Sequence, residues 1–179
     1  MSIFGLHRAF TPASIAIVGA SPKASSLGGA VYANAMAAGF RGRIDPVNPK
    51  YDQLDAVPDL VVVATPAPSV PAIIEAAAAR GVGAAIVLSA GLGHGKGSLS
   101  ESMHAAARAT GLRIIGPNCL GVIAPHAALN ASFAAVMPDA GGIAVISQSG
   151  AIAAAMAEWG MRQAIGFSAV VSVGDQIDV

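Results

Sequence analysis

Two turns rich in glycine and serine are the segments of this sequence that could bind a phosphate group. One follows the apolar run 14–19 and the other follows the apolar run 143–146, and a helix-like segment comes after each. Backbone N–H groups and the positive end of a helix dipole would therefore face an anion at both turns. The simpler alternatives are a tight turn without a ligand at the first and ordinary helix capping by Ser147 or Ser149 at the second. The predicted phosphate-binding residues are Gly19, Ala20 and Ser21, and Ser147, Gln148, Ser149 and Gly150.

The end of the second predicted strand, residues 43–47, distinguishes between nucleotides. An NAD site has an aspartate or glutamate there, which binds the ribose hydroxyls, whereas this strand ends in Val47, Asn48, Pro49 and Lys50. A lysine suits a ribose that carries a phosphate, as in NADP or coenzyme A (CoA), and the alternative is a solvated loop lysine. The first turn matches neither G-x-G-x-x-G nor the G-x-x-x-x-G-K-[ST] phosphate loop, so these motifs do not decide the ligand.

The side chains most often used in catalysis do not form a recognisable set. His7, His94, His104 and His126 have no second ligand at metal-binding spacing, so we expect no metal site. Cys119 is the single cysteine, which excludes an intramolecular disulfide. Because no histidine or acid stands in a supporting motif beside it, we expect Cys119 to be a small buried residue and not a nucleophile. No catalytic residue is therefore assigned within this chain.

The composition excludes several classes of protein. Lys plus Arg and Asp plus Glu both number 10, and the resulting net charge of zero argues against nucleic acid or a membrane surface as a partner. Charged residues make up 11% and hydrophobic residues 54% of the chain, which excludes disorder. Every apolar run is interrupted before the roughly 18 residues that a transmembrane helix needs. The N-terminal segment MSIFGLHRAFTPAS lacks the apolar core of a signal peptide, so we expect a cytoplasmic protein.

Strand-like and helix-like segments alternate over residues 14–115. The strand-like segments are continuously apolar, which is typical of parallel strands covered on both faces. We therefore predict an α/β fold with a Rossmann-like doubly wound parallel sheet and the third strand at its centre. The predicted strands are 14–19, Arg43–Val47, 59–64, 84–88 and 112–115, and the predicted helices are 27–39, 69–80 with Ser69 as N-cap, and 98–110.

A second unit is predicted after this sheet. Residues 116–137 have no helical periodicity and hold two short strands, around Val122 and over 130–133, before the turn-rich stretch 138–142. A strand, a helix and a strand then make one βαβ unit. Because two strands and one helix cannot cover both faces of a sheet, we expect this second domain to be cut short. The predicted strands are 143–146 and 168–173 around the helix Gly150–Arg162, and the predicted division is a domain over 1–125, a linker over 126–141 and the second domain over 142–179.

Several segments, taken in order, resemble one family of enzymes. They are GAS in the first turn, PVNPKY at the end of the second strand, GPNCLG after the fifth strand and SQSG in the second turn. Their combination is similar to the NDP-forming acyl-CoA synthetases and the α subunit of succinyl-CoA synthetase. The resemblance runs from about Phe10 to Val179. It implies a CoA-binding Rossmann-like domain followed by the first βαβ unit of a flavodoxin-like ligase domain.

The resemblance also implies a reaction and a set of contacts. In that family, acid, CoA and ATP give acyl-CoA, ADP and phosphate through an acyl phosphate and a phosphohistidine. CoA would be the substrate bound by this chain, whereas ATP or ADP with Mg²⁺ would belong to an ATP-grasp domain or β-type subunit. The implied CoA contacts are Gly19, Ala20 and Ser21 at the pyrophosphate, Val47, Asn48, Pro49 and Lys50 at the adenosine end, Ala64, Thr65, Pro66, Ser89, Ala90 and Gly91 along the pantetheine arm, and Pro117, Asn118 and Cys119 near the thiol.

The sequence departs from the family pattern in three respects. The segment after Tyr51 is short, His94 stands where relatives usually have an acid, and the phosphohistidine is expected beyond Val179. We therefore expect the chain alone to be inactive as a ligase and to act in an oligomer with an ATP-grasp partner. The alternatives are a CoA-sensing regulatory module fused to a protein acetyltransferase and, less favoured, an NAD(P)-binding oxidoreductase domain. The sequence that follows Val179 would separate the first two.

Overall fold

A five-stranded parallel sheet forms the first part of the fold in the computed structural model, which describes residues 5–21, 23, 25–48 and 56–179. The predicted strands are present with small changes at their ends. All four residues of the third strand are buried, and this strand lies at the centre as predicted. The strands are β1 (Ser14–Val18), β2 (Arg43–Val47), β3 (Leu60–Val63), β4 (Ala84–Val87) and β5 (Arg113–Ile115), in the order β2-β1-β3-β4-β5.

Helices cover both faces of this sheet. Val61 and Val63 of β3 pack with Ile74 of α3 (Val70–Ala79) and Met103 of α4 (Leu99–Thr110) on one face. Val31 of α2 (Leu27–Ala37) packs on the opposite face, and the short helix α1 (His7–Phe10) lies on that face as well. In the described part of the chain, no helix has the length and apolar character needed to cross a membrane.

Serine side chains cap two of these helices, whereas Ser69 occupies the predicted N-cap position of α3 without a side-chain capping bond. The hydroxyl oxygens of Ser26 and Ser98 accept hydrogen bonds from backbone N–H groups in the first turns of α2 and α4. Ser69, which was expected to cap α3, has a helical backbone conformation and no capping bond. Its hydroxyl donates instead to Pro66 O and Thr65 Oγ1, at 2.8 and 2.9 Å. The reason is a 3₁₀ turn over Ala67–Ser69 that leads directly into α3.

The second part of the fold is a four-stranded mixed sheet. Its strands are ordered β7-β6-β9-β8, and α5 connects the parallel pair β8 and β9. The two short strands predicted after β5 are present, and they form a hairpin that pairs with β9. The elements are β6 (Gly121–Ala124), β7 (Leu129–Ser132), β8 (Ala140–Ser147), α5 (Gly150–Arg162) and β9 (Phe167–Ser172).

The segment 126–141, predicted as a linker with a short strand over 130–133, is itself part of the second sheet. It contains β7 and the first residues of β8, because the partner of β7 is the local hairpin strand β6 and the partner of β8 is the distant strand β9. Asn34 of α2 also donates two hydrogen bonds from its side chain to this segment, to Ser132 O and Ala134 O. The hairpin gives the second sheet two strands in addition to its βαβ unit.

The second sheet packs against the first. Val122 and Val171 on its inner face share a hydrophobic cluster with Ile17 of β1 and Val31 of α2. Ala153 of α5 packs on the outer face. The layers are thus α3 and α4, the first sheet, α2 with the second sheet, and α5.

The C-terminal segment (residues 174–179) returns from β9 to the first sheet. Asp178 Oδ2 accepts hydrogen bonds from Arg113 Nε at 2.9 Å and from Ile114 N at 3.0 Å, both on β5. Asp175 N donates to Pro117 O at 2.9 Å, in the loop that follows β5. This segment therefore joins the second sheet to the edge strand of the first.

The turn after β1 depends on a close approach between two backbone segments. Gly19 has a φ of +97°, a conformation that favours glycine. Gly28 lies in the first turn of α2, and a Cβ atom at that position would overlap the carbonyl group of Gly19. A side chain at Gly28 would force the turn away from the helix, and a Cβ atom at Gly19 would overlap the carbonyl group of Ala64 at the end of β3.

We expect Gly28→Ala to destabilise the fold, because the added methyl group must displace the turn or the helix. The free energy of unfolding in urea should fall by about 1–3 kcal/mol, the usual effect of overpacking. Gly142→Ala is the matched control, since a Cβ atom there would have no neighbour within 4 Å, and it should change stability by less than about 0.5 kcal/mol. Equal stability of the two variants would contradict the tight contact at Gly28.

Candidate functional site

A groove runs along the carboxyl edge of the first sheet. It consists of two cavities of about 630 and 610 Å³. Both are lined by Ala64, Thr65 and Pro66, which follow the central strand β3, so the cavities adjoin each other. The first, called the β1 cavity, is lined by Val18, Gly19, Val47, Asn48, Ala64, Thr65, Pro66, Pro68, Ser69 and Ile73. The second, called the Cys119 cavity, is lined by Leu27, Ala64, Thr65, Pro66, Ala67, Leu88, Ser89, Ala90, Asn118, Cys119, Leu120, Phe133 and Gly150.

The first predicted turn lies at the β1 cavity. Gly19 lines the cavity, and Asn48 Nδ2 donates a hydrogen bond of 2.6 Å to Ala20 O, which ties the end of β2 to the turn. The Ser21 hydroxyl accepts from Lys23 N, so it supports the turn itself. The N–H groups of Gly19 and Ala20 donate to Val47 O and Ile17 O, so backbone donors for a phosphate at this end would come from the residues that follow them and from the start of α2. Pro49 and Lys50, predicted at the same end, lie outside the described residues.

The ends of β3 and β4 are fixed to one another. Ser89 is buried, and its hydroxyl donates a hydrogen bond of 2.6 Å to Thr65 O. Asn118 N donates in turn to Ser89 O at 3.0 Å, which adds the loop after β5 to the same network. The predicted residues Ala64, Thr65, Pro66, Ser89, Ala90 and Asn118 are therefore brought together along the groove.

Cys119 lines the Cys119 cavity, and only 4% of its surface is exposed. Its Sγ atom is 3.3 Å from Val87 O, to which the thiol donates. Burial raises the pKa of the Cys119 thiol to about 12, because the thiolate would lose its hydration. The thiol is therefore neutral at physiological pH, which agrees with a packing role and not with a nucleophile.

The second predicted turn ends at the same cavity. Gly150, the first residue of α5, lines it, and Leu120 lies directly against this glycine. The Ser149 hydroxyl accepts from Ile152 N and caps α5, and the Ser147 hydroxyl accepts from Ser149 N. The capping interpretation of Ser149 is therefore correct, and phosphate binding at this turn stays a prediction.

Some predicted residues lie beside the groove without lining it. Among the residues that the structure describes, those that line neither cavity are Ala20, Ser21, Gly91, Pro117, Ser147, Gln148 and Ser149. Conversely, Leu27, Leu120 and Phe133 line the Cys119 cavity and were not predicted. Phe133 directly follows β7 and belongs to the strand predicted over 130–133, but it reaches the groove because the second sheet packs against the first, which no local pattern signals.

The histidines do not assemble a metal centre. His126 Nε2 is 3.1 Å from Gly141 O, and His94 Nε2 is 4.0 Å from Asp175 Oδ2 on an exposed loop. Over residues 5–21, 23, 25–48 and 56–179, no group of three or more His, Cys, Asp or Glu side chains could hold a metal ion.

Known domain families match two successive parts of the chain. Residues 13–125, more than half of the chain, match the family described as CoA binding domain. The chain belongs to this CoA-binding family. Residues 140–179 match the family described as succinyl-CoA ligase like flavodoxin domain.

Relatives of this CoA-binding chain are longer proteins. An ADP-forming acetate–CoA ligase from Methanocaldococcus jannaschii is 38% identical, and the match covers 94% of this chain and 25% of that protein. The α subunit of ADP-forming acetate–CoA ligase I from Pyrococcus furiosus is 36% identical, with 97% of this chain and 42% of that subunit covered. The chain therefore spans less than half the length of these relatives.

A solved structure has the same fold. Acetyl-coenzyme A synthetase 1 from Ca. Korarchaeum cryptofilum, described as dinucleotide forming and in complex with phosphate and ADP, matches with a TM-score of 0.88 and 33% sequence identity. The match covers 97% of this chain and 40% of that chain. The Rossmann-like fold and the resemblance to NDP-forming acyl-CoA synthetases, both predicted from the sequence, are confirmed.

We expect Cys119 to resist alkylation in the folded protein. With a pKa of about 12, the thiolate fraction at pH 8 is only about one in ten thousand, and the side chain is buried. Iodoacetamide labelling followed by mass spectrometry should give no adduct at pH 8, whereas the protein unfolded in urea should be labelled fully. Rapid labelling of the folded protein would contradict both the burial and the raised pKa.

Proposed function

We propose that this chain is the CoA-binding part of an NDP-forming acyl-CoA synthetase, which converts acid, CoA and ATP to acyl-CoA, ADP and phosphate. The observation that carries the proposal is the groove along the carboxyl edge of the first sheet in a chain of the CoA-binding family. Relatives with 36–38% identity over nearly the whole chain are ADP-forming acetate–CoA ligases, which supports this reaction class.

The nucleotide end of CoA would occupy the β1 cavity. In this proposal the pyrophosphate lies at Gly19, Ala20 and Ser21, and the adenosine lies at Val47 and Asn48, followed by Pro49 and Lys50. Backbone N–H groups at the turn and the positive end of α2 would bind the pyrophosphate. No Asp or Glu from the described part of the chain lines either cavity, so a polyanion would meet no like charge there.

The pantetheine arm would follow the ends of β3 and β4 into the Cys119 cavity. It would pass Ala64, Thr65 and Pro66 and then Ser89, Ala90 and Gly91, so that the CoA thiol reaches Pro117, Asn118 and Cys119. Because the Cys119 thiol is neutral, the CoA thiol would be the reactive sulfur at this end. A neutral Cys119 suits thioester formation, because a Cys119 thiolate beside the acyl group would compete with the CoA thiol for that group.

A phosphate site at the start of α5 would complete the reaction. The CoA sulfur attacks the carbonyl carbon of an acyl phosphate, the bond from that carbon to the phosphate oxygen breaks, and phosphate leaves with the proton of the CoA thiol. Residues Ser147–Gly150 would hold the phosphate, because hydroxyls that already accept from backbone N–H groups are left with their protons to donate. Gly150 lies in the Cys119 cavity, so the proposed phosphate site adjoins the proposed thiol end.

The hydroxyl of Ser172 is buried on the strand next to this turn. Ser172 is fully buried, and among the described residues no hydrogen-bond partner of its Oγ atom is found. Ser172 pairs with Ser147 across β8 and β9. Since side chains alternate along a strand, Ser172 faces the same side of the sheet as Val170, which packs with Ala153 of α5.

The organisation of the whole protein follows from this proposal. Residues 1–125 would form the CoA-binding unit, 142–179 the beginning of the ligase unit, and 126–141 would join them. An ATP-grasp domain or β-type subunit would bind ATP or ADP with Mg²⁺, and a phosphohistidine outside this chain would carry the phosphoryl group. We propose an oligomer of these parts in the cytoplasm.

Calorimetry with CoA and NADH tests the ligand. We expect CoA to bind the chain at least about tenfold more tightly than NADH, because the end of β2 offers no carboxylate to the ribose hydroxyls of NAD. Dephospho-CoA lacks the 3′-phosphate, so a comparison of its affinity with that of CoA measures the contribution of this phosphate to binding. Tighter binding of NADH than of CoA would contradict the proposal.

Ser149→Asp tests the phosphate site in the full-length enzyme. Aspartate is as good an N-cap as serine, so the stability of α5 should be kept, whereas its charge would repel a phosphate. Phosphoryl transfer should slow by about a hundredfold or more, the order of an effect of about 3 kcal/mol on a charged transition state, and CoA affinity should stay within about twofold. Unchanged rates of phosphoryl transfer would mean that this turn acts only as a helix cap.

A further inference from the structure

The turn that follows β9 is pressed against the loop that forms the inner end of the groove. Gly174 has a φ of +53°, and a Cβ atom there would overlap the carbonyl oxygen of Pro117. The next residue, Asp175, donates its backbone N–H to Pro117 O at 2.9 Å. Asp175 is therefore held beside the loop 116–119 by its own backbone, independently of its side chain.

The Asp175 carboxylate contacts a residue of the groove. Its Oδ1 atom accepts a hydrogen bond from Asn118 Nδ2 at 3.2 Å, across 57 residues of sequence. The charge of Asp175 also contributes to the raised pKa of Cys119, which places the carboxylate close to the thiol end of the cavity. The other oxygen, Oδ2, lies 4.0 Å from His94 Nε2 on the exposed loop.

This contact decides which end of the Asn118 amide is left for a ligand. An ionised carboxylate can only accept hydrogen bonds, so Asn118 must turn its NH₂ group toward Asp175. Its Oδ1 atom then remains as an acceptor, and Asn118 is one of the residues that line the Cys119 cavity. The pantetheine arm of CoA carries amide N–H groups and a thiol, which are donors.

We propose that Asp175 is a positioning residue that orients the Asn118 amide so that its carbonyl oxygen accepts a hydrogen bond from the pantetheine end of CoA. The inference rests on the proposed function, because it assigns a role to Asn118 only if CoA occupies the groove. Asp175 does not line either cavity. Its effect reaches the ligand through Asn118, and it couples the second sheet to ligand recognition by the first.

Two ligands separate positioning from general stability. We expect Asp175→Ala to raise the Kd of CoA about five- to tenfold, as for the loss of one hydrogen bond. The Kd of 3′-phosphoadenosine 5′-diphosphate, which lacks the pantetheine arm, should stay within about twofold, because that nucleotide would occupy the β1 cavity. Asp175→Asn should bind CoA within about twofold of the unmodified chain, because an amide oxygen can still accept from Asn118. Calorimetry on the chain measures all of these constants.

Asp178→Ala is the matched control. It removes a carboxylate from the same C-terminal segment, but one that bonds to Arg113 and Ile114 on β5 and not to Asn118. It should lower the melting temperature while leaving the ratio of the two dissociation constants unchanged. Equal weakening of both ligands by Asp175→Ala, or no weakening of CoA, would overturn the proposal. Failure of the unmodified chain to bind CoA would instead overturn the proposed function.

Discussion

The apolar contact between the two sheets is the interaction on which the rest of the structure depends. A parallel sheet must be covered on both faces, and α3 and α4 cover only one face of the first sheet. On the other face, Val122 and Val171 of the second sheet complete a cluster with Ile17 and Val31. This packing holds the loop after β5 and the start of α5 against the ends of β3 and β4, and the groove exists because these segments converge.

The walls of the groove combine apolar side chains with backbone segments. They include the turn at Gly19, the network of Thr65, Ser89 and Asn118, and the first residue of α5. Backbone donors that are fixed by the fold need no reorganisation when a charged ligand arrives. In the proposed function, such donors at the start of α2 would bind a polyanion, although the chain has 11% charged residues and no net charge.

The fold of the first sheet could be predicted closely, because its determinants are local. Apolar runs predicted all five strands, including the central one, and glycine or serine predicted most helix ends. Ser69 holds the predicted N-cap position of α3, but it lies in a 3₁₀ turn and makes no side-chain capping bond. The short strand within 126–141 was predicted, whereas the beginning of β8 and the contact with Asn34 were not, because they depend on the distant strand β9 and on α2.

The candidate site could be predicted where its residues lie at the ends of strands, and not where the packing of the second sheet places them. Residues at the ends of strands, such as Thr65 and Ser89, meet at one edge of a parallel sheet whatever the details of packing. Phe133 and Leu120 enter the groove only because the second sheet packs there, so no local sequence pattern indicated them. The contact between Asp175 and Asn118 joins residues 57 positions apart and depends on the return of the chain from β9.

The pairing of β6 with β9 has a consequence for how such proteins can evolve. The strand that ends the stretch matched by the CoA-binding family is hydrogen-bonded to a strand in the stretch matched by the ligase-like family. A recombination event between the two stretches would leave β6 without its neighbour and would expose the apolar face that includes Val122 and Leu129. We therefore expect the two stretches to be inherited together and recombination to be confined to positions outside them.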